Sequence, residues 1–191
     1  MADVNSIETY RSLRATIKHA AGEARVRSVL IVDVDRKTPS GVARNTALAF
    51  AAAQERCALV DTNFRGRHVD GLGLADMMKD PSVEVDFGPD DDGLVVVPAG
   101  SSGDPDMLSS DRFTQTLDAI IEKFDYTIVT CDVYPGSGDA IAIAPVVDAV
   151  IIVISAGVTG REPAIQARDA LERVGARILG LVMIERPKRW F

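Results

Sequence analysis

Four aspartates and one loop hold the groups of this chain that could do chemistry. Asp33, Asp35, Asp61 and Asp132 each close or follow a short apolar run. Carboxylates gathered at one edge of a sheet are hard oxygen donors of the kind that hold Mg2+. The segment Asp33-Val34-Asp35-Arg36-Lys37-Thr38-Pro39-Ser40-Gly41 also offers Lys37 and Ser40. A phosphate-binding loop uses such a lysine for phosphate charge and such a hydroxyl for Mg2+, but it also needs glycines, so that successive backbone N–H groups surround the phosphates. In this stretch no glycine comes before Gly41, and Pro39 removes an N–H donor. Thr38 and Pro39 predict an ordinary helix start instead, with threonine as the N-cap and proline at the first helical position. His19 and His68 stand alone. Cys57 and Cys131 sit beside apolar runs without metal-like spacing and read as reduced, buried thiols.

The elements that must position these groups are short, continuous apolar runs separated by helical patterns. Strands are expected at Ser28–Asp33, Cys57–Asp61, Leu94–Pro98, Tyr126–Thr130, Ala149–Ser155 and Ile178–Ile184. Runs without alternation fit a parallel sheet covered on both faces. Helices are expected at Ile7–His19, Pro39–Gln54, Gly73–Lys79, Asp111–Phe124 and Arg161–Val174. Regular alternation of strand and helix predicts an α/β, three-layer, doubly wound, mostly parallel sheet with right-handed crossovers. Ligands in such a sheet bind at the carboxyl ends of the strands, which is where the aspartates fall. Pro81–Gly93, with Asp86, Asp90, Asp91 and Asp92, reads as a solvated acidic loop.

Bulk properties narrow the partners. At 191 residues the chain is expected to form one domain over 1–191, with an N-terminal helix within 1–24 and a basic, aromatic tail at 185–191. A net charge of −7 opposes general nucleic-acid binding, which needs a basic surface. No run approaches the roughly 18 apolar residues of a membrane span, and the start lacks a signal-peptide core, so a cytoplasmic location is expected. The tail Lys188-Arg189-Trp190-Phe191 suits a weak contact with an anionic membrane surface or an acidic partner, or else frays.

Several stretches in order carry a family resemblance. Glu8-Thr9-Tyr10-Arg11-Ser12-Leu13-Arg14 fits an E-x-x-R-x-x-R helix. Val97-Pro98-Ala99-Gly100 precedes Pro105-Asp106-Met107-Leu108-Ser109-Ser110 and Phe113. Phe124-Asp125-Tyr126 leads into a strand followed by Asp139-Ala140, and Gly175-Ala176-Arg177-Ile178-Leu179-Gly180-Leu181-Val182 makes a final helix-to-strand step. Together they resemble the bacterial tyrosine-kinase family, the cytoplasmic ATPase module of polysaccharide co-polymerases. That family is related to the MinD/ParA-type P-loop ATPases.

The resemblance implies a P-loop NTPase-like fold and shows where this chain departs from the family. Anchoring on Asn45 puts Pro39 at the P-loop lysine and Ser40 at the Ser/Thr. The second-strand D-x-D becomes Asp61-Thr62-Asn63. The magnesium-organising aspartate falls at Thr130, with Asp132 two residues later, and the adenine-contacting asparagine falls at Ile184. Asp33 and Asp35 add negative charge near where phosphates would sit. The site is therefore expected to be degenerate, with neither ATP nor a metal as cofactor. The family's tyrosine-rich tail has no counterpart, since the tyrosines are Tyr10, Tyr126 and Tyr134, and tail autophosphorylation is not expected.

Assembly features are expected to survive. Ile7, Tyr10, Leu13 and Ile17 form an apolar helix stripe with Glu8, Arg11 and Arg14 on its flank. In the family that charged stripe lies at a subunit interface. On its own it is also an i,i+3 ion ladder on a solvated helix. Arg65 and Arg67 follow the second strand as in the family and would bind an acidic segment or lie exposed. The resemblance implies a non-catalytic pseudo-ATPase that binds a membrane polysaccharide co-polymerase or a paralogous ATPase, or forms a homo-oligomer, and regulates exopolysaccharide synthesis and export. Two alternatives stay open. One is an active Mg-ATP-dependent ATPase or tyrosine kinase using Lys37, Ser40, Asp61 and Asp132. The other is a Mg-dependent phosphatase using the Asp33, Asp35, Asp61 and Asp132 cluster, for which Thr38 falls one residue late.

Overall fold

The computed structural model describes residues 4–20 (side chains from residue 8), 26–34, 40–65, 71–83, 88–90, 92–100, 103–135 and 138–185. Six strands form one sheet: β1 Ser28–Asp33, β2 Cys57–Asp61, β3 Val95–Val97, β4 Tyr126–Thr130, β5 Ala149–Ser155 and β6 Ile178–Ile184. Their order is β3-β2-β4-β1-β5-β6, and every pairing of neighbours is parallel.

The apolar runs form strands because both faces of the sheet are covered. All six residues of β1 are buried. Val29 and Ile31 point into one core with Val42, Ala47 and Phe50; Leu30 and Val32 point into the other with Leu117, Ile143 and Leu171. The first core lies under α1 (Val4–His19) and α2 (Val42–Ala51). The second lies under α3 (Leu74–Lys79), α4 (Asp111–Lys123), α5 (Asp139–Ile143) and α6 (Arg161–Arg173). Short 3-10 turns at Pro105–Ser109 and Ala144–Val146 complete the connections. The three-layer α/β expectation is met, with all six strands parallel.

Helix faces follow their sequence periodicity. In α4, Phe113, Leu117 and Ile120 are fully buried, and the Ser110 hydroxyl caps the helix by accepting the Phe113 N–H at 3.3 Å. In α1, Ile17 is buried and Tyr10 and Leu13 pack on the same core, so the predicted stripe serves packing. Phe50 of α2 stacks on Tyr126 of β4 with ring centroids 4.3 Å apart.

Three sequence expectations need correction. α2 opens at Val42, not at Pro39, with Gly41 in the left-handed region (φ 80°) as its cap residue. Glycine reaches that backbone region freely, whereas other residues rarely do. The chain therefore turns into the helix three residues later than a Thr38 cap requires. Thr38 and Pro39 themselves lie outside the described residues. β3 is shorter than predicted because Pro98 has no N–H to pair; its carbonyl instead accepts the Leu74 N–H at 2.8 Å. The acidic segment is more than a solvated loop, since Asp90 and Asp92 both bind Arg44 of α2. Among the described residues no helix is long and apolar enough to cross a membrane.

Candidate functional site

The carboxyl ends of β1, β2 and β4 meet the amino end of α2, and there the sheet opens a cavity of about 190 Å3. Asp33, Gly41, Arg44, Asp61, Asn63 and Thr130 line it among others. Parallel register explains the convergence. Thr130 is level with Asp61 of β2 and with Ile31 of β1, which places Asp33 two residues beyond, at the rim.

Asp33 is 3% exposed, and its Oδ2 accepts the Ser40 N–H at 3.0 Å. Ser40 in turn accepts the Val42 N–H on its Oγ at 3.2 Å. Ser40 thus has both its backbone donor and its hydroxyl oxygen engaged within the chain. Asp61 is half-buried, and its Oδ1 accepts the Asn63 N–H at 2.9 Å. Burial pushes the Asp61 carboxyl above the ordinary aspartate range, and the Asn63 hydrogen bond only partly offsets that. Thr130 supplies no charge. Its carbonyl accepts both the Thr62 N–H at 3.0 Å and the Thr62 hydroxyl at 2.9 Å.

Arg44 is the cation that lines the cavity among the described residues, and it is held by the loop before β3. Its Nη2 donates to Asp90 Oδ2 at 2.9 Å and to Asp92 Oδ2 at 2.5 Å. Asp90 is held below the usual carboxylate range, first by the Leu94 N–H and then by Arg44. Arg65 lies exposed, as one of its two expected readings has it, and it also pairs with Asp139. Its Nη1 donates to Oδ1 at 2.7 Å and Oδ2 at 2.6 Å of a carboxylate that is 4% exposed. This ties the loop after β2 to the start of α5. Arg67 lies outside the described residues.

The remaining predicted positions are dispersed. Lys37, Thr38, Pro39 and Asp35 lie outside the described residues. Asp132 is half-buried, with its Oδ1 accepting the Val133 N–H at 2.8 Å. Among the described residues no group of three His, Cys, Asp or Glu side chains could hold a metal ion; Asp35, the fourth member of the predicted Mg2+ cluster with Asp33, Asp61 and Asp132, lies outside them. Ile184 ends β6, and its carbonyl accepts the Ala156 N–H at 2.9 Å. Both cysteines are free and buried; burial pushes the Cys57 thiol up to about 12 and Cys131 higher still. On α1, Glu8 and Arg11 form an exposed pair at 3.4 Å, whereas Arg14 Nη1 donates to the Ala49 carbonyl of α2 at 2.6 Å. Tyr10 Oη accepts from Asn45 Nδ2 at 3.2 Å in the same helix contact.

Sequence reasoning missed the Asp33–Ser40 contact, the Arg44 cluster and the Arg65–Asp139 pair. The Asp139-Ala140 match was the available signal for the last. The others join groups that no motif or period connects.

No protein-family model matches the chain. The tyrosine-protein kinase YwqD of Bacillus subtilis is 26% identical over 188 residues, covering 92% of this chain and 79% of that protein. The tyrosine-protein kinase CpsD of Streptococcus pneumoniae is 28% identical over 189 residues, covering 92% and 82%. The kinase domain of the Escherichia coli tyrosine kinase ETK superposes with a TM-score of 0.82 at 20% identity, over 97% of this chain and 77% of that one. The chimerical protein CapA2B2 gives a TM-score of 0.80 at 20% identity, over 94% and 84%. MinD of Pyrococcus horikoshii, solved with Mg-ADP, gives 0.63 at 16% identity, over 82% and 69%. The homologues of this chain are thus bacterial tyrosine kinases, and its fold is that of their kinase domains and of the MinD- and ParA-type ATPases.

Proposed function

We propose that this chain is a non-catalytic pseudo-ATPase of the bacterial tyrosine-kinase type. It binds the cytoplasmic part of a membrane polysaccharide co-polymerase, or a paralogous active ATPase, and regulates exopolysaccharide synthesis and export. The observation that carries the reading is the charge at the cavity: Asp33 and Asp61 line it, Thr130 falls by resemblance at the family's magnesium aspartate, and Arg44 is committed to Asp90 and Asp92. A nucleotide triphosphate in such a crevice would meet repulsion where its relatives offer a lysine and a metal.

What the chain keeps is the scaffold that such relatives share and the α1 stripe with the exposed Glu8–Arg11 pair. A subunit of this kind acts by population shift, holding one interface state of an assembly without turnover. The family resemblance supports the partner, and the charge at the cavity supports the loss of ATP chemistry.

Calorimetry with ATP and ADP in the presence of Mg2+ tests the reading. No heat of binding is expected up to millimolar nucleotide. A dissociation constant below about 100 μM would overturn it and turn attention to kinase activity.

A further inference from the structure

We infer that the outer edge of β6 is a docking edge for a second copy of this chain, the two copies pairing antiparallel through residues 181–183 into one continuous sheet. The pairing is independent of the state of the nucleotide site.

The two edges of the sheet differ. β3 is three residues long, Pro98 follows it, and Pro89 makes an antiparallel bridge to Val95 on its far side. β6 runs seven residues, Ile-Leu-Gly-Leu-Val-Met-Ile, with neither a charge nor a proline, and among the described residues no strand lies beyond it. An open row of backbone donors and acceptors pairs readily with another chain, so natural edges are blunted by short strands, prolines, charges or bulges. The bulge in β6, opposite Val150 and Ile151, sits near the amino end and leaves residues 180–184 in regular register.

The Ile184 carbonyl accepts the Ala156 N–H, so Ile184 turns its backbone groups toward β5. Alternation along the strand then turns the N–H and C=O of Leu181 and Met183 outward. Their side chains are 50% and 61% exposed, on the face opposite Val182 and Ile184, which pack on the core under α1 and α2. An antiparallel pair with its two-fold axis at Val182 sets Leu181 of each copy against Met183 of the other. It satisfies the outward backbone groups and covers the exposed apolar side chains together. Charge selects the orientation. Arg177 precedes the strand and Glu185 follows it; both are exposed, and neither forms an ion pair with another described residue, although Arg177 donates to the Ala20 carbonyl. Antiparallel pairing brings Arg177 of each copy toward Glu185 of the other, twice by symmetry, whereas parallel pairing would set like charges together.

Sedimentation velocity of the full chain over about 1–100 μM tests the pairing. Wild type is expected to dimerise within that range. Leu181→Lys combined with Met183→Lys should weaken the dimer at least about tenfold and leave the far-UV circular dichroism spectrum unchanged. Glu185→Arg sets arginine toward Arg177 of the other copy and should weaken the dimer too. Adding Arg177→Glu should restore it, a rescue that a folding defect would not give. Val182→Cys should form an intermolecular disulfide under mild oxidation, because the axis sets the two residues opposite each other and the native cysteines are buried. Gly180→Cys should not. A chain that stays monomeric throughout, or a dimer untouched by the lysine and charge substitutions, would refute the inference. In such a monomer, slow amide exchange at Leu181 and Met183 would mean that another part of the same chain covers the edge, and fast exchange that the edge stands open.

Discussion

Replacing Arg65 by methionine removes the guanidinium from Asp139 while keeping most of the side-chain volume. The carboxylate left behind is 4% exposed, and both of its oxygens had been served by Arg65 Nη1 at 2.7 and 2.6 Å. Breaking a fully buried ion pair from one side costs about 3–5 kcal/mol. Arg65 itself is 43% exposed, so water already screens the pair and can reach part of the space the guanidinium leaves. We therefore expect a loss of about 2 kcal/mol. For a domain of this size that corresponds to a fall in Tm of about 4–8 °C. Asp139→Asn leaves the cation half in water with an acceptor still facing it, and should cost about 1 kcal/mol. The double variant should lose at least about 1 kcal/mol less than the sum of the singles, because the second change removes a partner that is already unpaired. Urea unfolding followed by far-UV circular dichroism measures all three. Additive losses, or an Arg65→Met protein within about 0.5 kcal/mol of wild type, would show that the pair does not join the β2 loop to α5 energetically.

Two further outcomes follow from the site and its supports. Burial raises the Asp61 carboxyl in the folded state, so its contribution favours the fold below the unfolded aspartate value and is lost as pH rises through the folded one. Asp61→Asn should then be more stable than wild type at pH 7, with the advantage fading on acidification toward pH 4, read by urea midpoints across pH; an unchanged gap would refute the assignment. Gly73→Ala should cost about 2–3 kcal/mol in the same assay, because a Cβ there would sit 2.5 Å from the Gly100 nitrogen, in backbone that cannot yield cheaply; a neutral outcome would mean that the end of β3 and the start of α3 are less tightly joined than described.

The frame of this molecule is written in local pattern, and the site is written in long-range geometry. Ser28–Asp33 and Ala149–Ser155 appear as strands at their predicted bounds because continuous apolar character needs only local reading. α5 and the Ala144–Val146 turn escaped notice because five and three residues are too few to show a helical period. The start of α2 was misplaced because Thr38-Pro39 and Gly41 offer competing caps, and local propensity does not rank them. Arg65 and Asp139 are 74 positions apart, and Arg44 and Asp90 are 46 apart. Each of those side chains alone looks like ordinary surface charge. Only the strand order that brings their loops to one edge makes partners of them.

That strand order also bears on how the polypeptide is made. β1 sits between β4 and β5, and β2 pairs with β4 and β3. When the first hundred residues have left the ribosome, β1, buried along its whole length, has neither neighbour, and only the β2–β3 pair can close. The middle of the sheet assembles only after residues 126–130 and 149–155 are synthesised. Non-local pairing of this kind slows folding and leaves nascent chains open to chaperones and to aggregation. Prematurely terminated chains should therefore be degraded rather than accumulate as a half-domain.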